Sequence, residues 1–299
     1  MKISTLHNDT PLGSWTYSEW RPQPLADLTG LVEVIWYFKG PTSSARKRIL
    51  PNGTVEMLVN FGEPYRTITG AGPELLKTTW LAGLQSGPMV SAQPPRQDVM
   101  GVRLCPAGAY ALMDGPAREI SELVVDLEDV VGRAADELAE RCYDAASVEE
   151  RLRRAADWVA ERATKARGVD PAIAWAAGRI EQSGGAVSIA ELRRHTGLSK
   201  TRLAEAFREQ IGLAPKLYSR VVRFRRATAM LQKGAQPLID VALAAGYYDQ
   251  PHMNAEFREL SGLSPREFLI ARYPTGDGYT VGDSYLERGK SAAANLSRL

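Results

Sequence analysis

The sequence predicts an α+β chain: an N-terminal β-sandwich or small barrel, linking helices, and an all-α C-terminal domain of two helix-turn-helix units. Three observations predict it. Up to about residue 108, short β-branched and aromatic runs alternate with turn residues. After Gly108 the chain turns rich in Ala, Glu, Leu and Arg. In the last third, a pattern recurs with a period of 50 residues. With 299 residues, 44% hydrophobic and 24% charged, two main domains are expected. The expected boundaries are 1–115 (β-rich), 116–168 (linking or dimerisation helices), 169–273 (helical domain) and 274–299 (mobile tail).

The expected strands begin near residue 20. Leu31–Phe38, Val55–Phe61, Thr78–Leu81 and Val99–Leu104 are the clearest, separated by Pro51-Asn52-Gly53, Gly62-Glu63-Pro64, Gly70-Ala71-Gly72-Pro73 and Pro94-Pro95. Residues 116–142 read as helix. A capping box, Ser147-Val148-Glu149-Glu150, opens another helix, with Val148, Leu152, Ala155, Val159 and Ala163 on one apolar face. That face packs either on the β-domain or on a partner subunit. Gly168 ends it. Asp170-Pro171 starts a new helix, with Asp as N-cap and Pro at the first turn, running to Gly184-Gly185.

In the repeat, Ile189, Phe207, Gly212, Leu213, Pro215 and Tyr218 return as Ile239, Phe257, Gly262, Leu263, Pro265 and Phe268. Each copy reads as short helix, Gly turn, second helix, Gly-x-x-Pro stop, the device that lays a helix in a DNA major groove. In the first copy Ser188 caps the short helix and Ser199 caps the second, with Leu203 and Phe207 inward. At 100° per residue the outward face carries Lys200, Thr201, Arg202, Glu205 and Arg208, which suit base edges or phosphates. In the second copy Asp249 caps a helix with Met253 and Phe257 inward; outward lie Pro251, His252, Ala255, Glu256 and Glu259, with Gln250 and Arg258 at the edges. Between the copies, a helix from Pro215 to about Gln232 carries Arg220, Arg223, Arg225 and Arg226.

The overall charge of +2 hides an asymmetry. Residues 1–169 hold 19 basic against 22 acidic side chains, whereas 170–273 hold 15 against 10. Within 193–226 the balance is ten to two. A positive stripe coinciding with the repeat suits a phosphate backbone.

Residues 188–270 resemble the DNA-binding domain of the AraC family of bacterial transcription regulators. The likeness rests on Gly197-Leu198-Ser199, Phe207, Gly212-x-x-Pro215, Arg223 with Ala227, Ile239-x-Val241-Ala242, and Gly246-Tyr247-Tyr248-Asp249-Gln250 leading to Phe257-Arg258 and Gly262-Leu263-Ser264-Pro265. The resemblance implies two helix-turn-helix units reading consecutive major-groove turns. Its implied DNA-binding residues are Ser199, Lys200, Thr201, Arg202, Glu205, Arg208, Arg223, Asp249, Gln250, His252, Glu256 and Arg258. Pro251, Met253 and Ala255 depart from it, standing where a polar, an aromatic and a larger polar residue are common. The first unit is therefore expected to supply most sequence specificity, and the second mainly phosphate contacts and DNA fit.

The N-terminal part is similar to the sensor-like β-domain found ahead of such domains, through Ile49-Leu50-Pro51-Asn52-Gly53, Asn60-Phe61-Gly62, and Gly101-Val102-Arg103 near Pro106. That likeness implies a cupin-like barrel that binds a small effector or dimerises. The candidate effector residues are Arg103, Glu56 and Arg48. Arg103 lies within an apolar strand and needs a partner, either an anionic ligand or Glu56 itself. Arg46-Lys47-Arg48 precedes a strand as a basic cluster or a solvated edge.

An enzyme is not expected. The three histidines, His7, His195 and His252, fall outside the expected strand region, so a cupin metal site lacks its ligands. No P-loop, dinucleotide fingerprint, nucleophile elbow or metalloprotease motif occurs. No cofactor and no metal are expected, and Cys105 and Cys142 read as small buried side chains. No apolar run reaches the roughly 18 residues of a membrane span, and no signal-peptide core follows Met1, so a cytoplasmic location is expected. The expected partners are double-stranded DNA, RNA polymerase, a small-molecule effector and a second copy of the chain. Alternatives are an N-terminal domain that makes protein contacts only, or a cupin-type enzyme fused to a DNA-binding module.

Overall fold

The computed structural model describes residues 1–299 apart from 11, 23–27, 29, 43, 70–71, 106, 114, 166, 235, 272–279 and 283–299. Pro106, the Gly70-Ala71 turn and most of the expected tail lie outside the described residues.

The chain opens on a hairpin, β1 (Ile3–Thr10) and β2 (Gly13–Trp20), in a register from Ile3↔Trp20 to Thr10↔Gly13. Eight further strands follow: β3 (Val32–Pro41), β4 (Arg46–Ile49), β5 (Val55–Asn60), β6 (Arg66–Thr69), β7 (Gly72–Leu75), β8 (Thr79–Ala82), β9 (Met89–Ala92) and β10 (Arg96–Leu104). Next come α1 (Gly108–Leu112), a 3-10 turn at Ala117–Glu119, β11 (Val124–Asp126), α2 (Leu127–Val131), α3 (Ala134–Tyr143) and α4 (Val148–Ala163). One antiparallel sheet has the order β1-β2-β3-β10-β5-β8-β11. A second has the order β12-β4-β9-β6-β7, where β12 is Thr280–Gly282. Two separate sheets fit the sandwich alternative.

The long central strands bury both faces. Ile35, Tyr37, Met57, Val59, Met100 and Val102 join Leu138, Cys142, Leu152 and Val159 of α3 and α4 in the main core. On the opposite pleat, Trp36, Phe38 and Leu58 pack with Tyr65, Trp80 and Val99. The apolar face of α4, with Leu152, Ala155 and Val159 fully buried, is thus spent on its own β-domain. Its start is the expected cap: Ser147 Oγ accepts from Glu150 N at 3.1 Å.

The structure differs from the sequence expectations at five points. The hairpin at 3–20 was not expected; its residues are mostly exposed or half-buried, so neither face carries an apolar stripe. It also places His7 in a strand, bonded to Thr16 at 2.9 Å on the exposed surface. The expected helix over 116–142 is broken, because β-branched Val124 and Val125 pair with Ala82 and Leu81 of β8, and Gly132 at φ 60 stops α2. Within the expected mobile tail, Thr280–Gly282 pairs with Lys47–Ile49. Arg46–Ile49 is itself a strand, held between β12 and β9 rather than at an edge.

The helical domain comprises α5 (Pro171–Gln182), α6 (Ile189–Thr196), α7 (Lys200–Ile211), α8 (Pro215–Lys233), α9 (Leu238–Ala245), α10 (Gln250–Ser261) and α11 (Pro265–Ala271). The main core runs on into it through Leu192, Phe207, Tyr218, Phe224 and Phe257. The two domains also touch closely. A Cβ at Gly212, just after α7, would stand 2.4 Å from Ser121 Oγ, and Arg225 of α8 donates to Asn52 O at 3.0 Å.

Candidate nucleic-acid interface and domain-junction cavity

Each repeat unit builds its second helix from the same local parts. Ser188 Oγ accepts from Glu191 N at 3.1 Å and starts α6; Gly197, at φ 71, ends it in the left-handed conformation that only Gly adopts cheaply. Ser199 Oγ then accepts from Arg202 N at 3.2 Å and starts α7. In the second unit Gly246, at φ 94, ends α9, and Asp249 Oδ1 accepts from His252 N at 2.7 Å to start α10. Ser199 and Asp249 are therefore caps first, fixing the angle at which α7 and α10 leave the turn.

The inward residues anchor both helices. Leu203, Ala206, Phe207 and Ile211 are buried in the first unit, and Met253, Phe257 and Leu260 in the second. Phe257 packs edge-on against Phe224 of α8 (4.7 Å) and Phe268 of α11 (5.5 Å). On α7 the outward face is open: Lys200, Thr201, Arg202, Glu205 and Arg208 are all exposed. His195, at the end of α6, stacks on Trp175 of α5 with centroids 3.5 Å apart. On α10, Pro251, His252, Ala255, Arg258 and Glu259 are exposed and Gln250 is half-buried.

Two expected DNA-contact residues are placed elsewhere. Glu256 is only 5% exposed and faces α8, not solvent. Its carboxylate takes Arg220 Nε at 2.9 Å and Arg223 Nη2 at 3.0 Å. Arg223 also lies over the Tyr247 ring at 5.0 Å and donates to Gly185 O at 3.4 Å. Glu256 and Arg223 thus clamp the second unit to the linking helix. The helical wheel set Glu256 outward, but it is only 100° from Phe257 and turns toward α8. The repeat held the missed signal: the equivalent position, Ala206, is a small residue that is also buried.

Together, α8 and its ion pairs set the geometry of the pair of units. The helix has 19 residues, roughly 28 Å at 1.5 Å per residue. Successive major-groove contacts on one DNA face lie about 34 Å apart, so a rigid spacer of this length is of the right order.

In the β-domain, Arg103 and Glu56 meet as expected. Arg103 Nη2 is 3.1 Å from Glu56 Oε1, which also accepts from Trp36 Nε1 at 2.7 Å. Trp36 can lie there because residue 101 is Gly; a Cβ at that position would come within 2.4 Å of the indole. Arg103 therefore has the internal carboxylate partner. Arg48 does not join them. Its Nη1 donates to Ser261 O, at the end of α10, at 3.4 Å.

At the junction, a cavity of about 280 Å³ is lined by Glu33, Asn52, Thr54, Arg103 and Cys105 of the β-domain and by Glu181 and Arg225 of the helical domain. Arg225 bonds Glu181, and so does the buried Tyr218 hydroxyl. Burial, with Glu33 and Glu181 nearby, pushes the Cys105 thiol up to about 11. Burial pushes Cys142 up to about 12. Of these residues the sequence offered only Arg103 as a candidate effector contact, since the walls come from segments far apart in the chain. Among the described residues, no group of three or more His, Cys, Asp or Glu is placed to hold a metal ion. No helix among them is long and apolar enough to cross a membrane.

Comparison with known proteins agrees with this geometry. Residues 192–270 match a family described as a helix-turn-helix domain. Residues 21–126 match a domain of unknown function, DUF6597. The HTH-type transcriptional regulator ArgR of Pseudomonas aeruginosa is 29% identical over 99 residues, 33% of this chain and 30% of that protein. The arabinose operon regulatory protein of Escherichia coli is 31% identical over 80 residues, 27% of each chain. The matches thus span less than a third of the length of these curated relatives. The crystal structure of ToxT from Vibrio cholerae aligns over 79% of this chain and 97% of that one, with 12% identity and a TM-score of 0.46. Likeness at that level carries no argument about detail.

Proposed function

We propose that this chain, whose residues 192–270 match a helix-turn-helix domain, is a sequence-specific DNA-binding transcription regulator of the AraC type. The observation that carries the reading is the exposed face of α7. Lys200, Thr201, Arg202, Glu205 and Arg208 project from a helix whose cap and apolar anchors fix it rigidly. Arg202 and Arg208 offer the forked donors that suit guanine, and Glu205 an acceptor for the cytosine amino group. On α10, Pro251 and Ala255 cannot donate hydrogen bonds to bases from their side chains. The second unit then serves phosphate contact through Gln250, His252 and Arg258.

The expected domain boundaries are proposed as the working units: a β-domain to residue 115, linking helices over 116–168, and the DNA-binding domain over 169–273. The β-domain receives a small effector and supports dimerisation. Because α4 spends its apolar face internally, a dimer contact would use other surface. RNA polymerase is the proposed protein partner, the cytoplasm the proposed location, and no enzymatic step is assigned.

The test is fluorescence anisotropy of the full chain on a set of promoter fragments from its own genome, titrated with salt. Tight binding to a subset, weakening steeply with salt as phosphate contacts require, is the expected result. Equal weak binding to every fragment would contradict sequence specificity.

A further inference from the structure

The longer sheet ends on β1, and β1 lacks the guards that the other sheet edges carry. β11, at the opposite end of the same sheet, has 3 residues; in the second sheet β12 has 3, and β7 has 4 with Pro73 among them. Short strands and proline are how native edges avoid pairing with other chains. β1 has 8 residues, runs against β2 in an unbroken register, and contains neither proline nor lysine. Its pair Thr10↔Gly13 closes the hairpin and so exchanges hydrogen bonds. Every second residue back along β1 therefore bonds β2, while Ile3, Thr5, His7 and Asp9 turn their N–H and C=O groups outward. No other described strand takes those groups. One face adds an apolar signal. Leu6 stands opposite Tyr17 and Tyr17 opposite Phe38, a row across the sheet that stops at Leu6, which is 61% exposed.

We propose that β1 is a self-pairing edge: two copies of this chain join β1 to β1, antiparallel about a twofold axis, into one continuous sheet. In only one antiparallel register do all four outward residues meet outward residues. It sets Thr5 opposite His7 of the second copy, and Ile3 opposite Asp9. The axis then passes through Leu6, which faces its own copy in a non-hydrogen-bonded pair, where side chains stand closest. The apolar row becomes Phe38, Tyr17 and Leu6, then the same three in reverse. Asp9, the one carboxylate in the strand, meets an isoleucine, so no like charges face each other. A twofold contact uses up the edge on both copies and closes at two. A contact of one strand per copy lies below the roughly 1,200 Å² of a standard interface, so the dimer is weak and dissociates in the micromolar range. Two copies bound near each other on DNA raise the effective concentration and favour it. This pairing supplies the surface for the dimerisation proposed above, and rests on that reading.

The test is sedimentation velocity of the full chain, without DNA, from about 1 to about 100 μM, across which a monomer should give way to a dimer. Leu6→Lys changes an exposed side chain and sets two like charges face to face. It should raise the dissociation constant about tenfold or more and leave Tm unchanged. Oxidative cross-linking then fixes the register. Leu6→Cys should form a disulfide-linked dimer, because opposed Cα atoms in such a pair lie about 4.5 Å apart, within disulfide reach. Ser4→Cys and Asn8→Cys lie off the axis and opposite each other, so they should link only when mixed. The unsubstituted chain, whose own thiols are Cys105 and Cys142, should not link. A chain that stays monomeric to about 100 μM overturns both this pairing and the dimerisation reading. A dimer that Leu6→Lys leaves intact, or one in which Ser4→Cys links to itself as readily as to Asn8→Cys, overturns the pairing alone. No arm contains DNA, so failure here and failure of the DNA-binding reading are separately visible.

Discussion

The Glu256 carboxylate lies 3.0 Å from the Arg223 guanidinium, and the glutamate side chain is only 6% exposed. This pair, with Arg220 at 2.9 Å, ties the second helix-turn-helix unit to the helix that joins it to the first. A buried carboxylate of this kind is a matter of geometry rather than of DNA chemistry. Removing Arg223 leaves the buried carboxylate to Arg220 alone.

Arg223→Ala, which leaves Arg220 on the carboxylate, is therefore expected to destabilise the domain by about 1.5–3 kcal/mol, while the paired change of Arg223→Met with Glu256→Leu costs less. Urea denaturation of the full-length variants measures both. If the single change costs no more than a typical surface substitution, the clamp is not structural.

Gly185 provides a second structural test. It sits at φ 81, and a Cβ there would lie 2.1 Å from Ser219 O of α8. Gly185→Ala combines a strained backbone with a steric clash, for an expected cost of about 3 kcal/mol. Gly197→Ala has the same strained φ but open space around it, so it should cost only about 1 kcal/mol. The difference between the two melting curves isolates the close approach of the α5–α6 turn to α8.

The thiols give a prediction with a sign in pH. Cys105 and Cys142 hold their protons to about 11 and 12, above the ordinary value of 9.0. A group whose folded pKa is raised contributes its stability fully below the unfolded value and loses it as pH rises. Stability should thus decline from about pH 9 toward pH 11 and 12. At pH 8 the alkylation of Cys105 by iodoacetamide should run tens of times slower than that of a free thiol. Rates close to those of free cysteine would contradict the burial described above.

Much of the candidate interface was legible in the sequence because local chemistry writes it. Ser188, Ser199 and Asp249 cap helices through their own side chains, Gly197 and Gly246 stop them, and Leu203, Phe207, Met253 and Phe257 mark the inward stripe. The central strands were legible for the same reason, with β-branched residues between turn signals. What escaped depends on contacts distant in sequence. Glu256 stands at the border of the α10 face, and its burial depends on the arginines of α8. The β1–β2 hairpin has no apolar face to announce it, and β11 becomes a strand only because β8 offers an open edge. The cavity is assembled from Glu33, Thr54, Glu181 and Arg225, which no periodicity links.

The division of labour between the two units yields a further expectation. Substituting Lys200 or Arg258 with Ala should weaken binding to all sequences alike and reduce the slope of log K against log salt by about one unit each. Anisotropy at several salt concentrations checks this. A loss confined to one sequence would instead mark that side chain as a base reader.

The most direct test of the central claim is selection of bound DNA from a randomised double-stranded library by the full-length protein and two variants. In one, Thr201, Arg202 and Glu205 of α7 become Ala; in the other, Gln250 and His252 of α10 become Ala. The account predicts a defined motif for the unaltered protein, loss of that motif's base preference in the first variant at about 1–3 kcal/mol per contact, and a weaker but unchanged motif in the second. Enrichment of no motif by the unaltered protein would contradict the account, and a base preference relaxed more by Gln250 and His252 than by the α7 triple would reverse its ranking of the two helices.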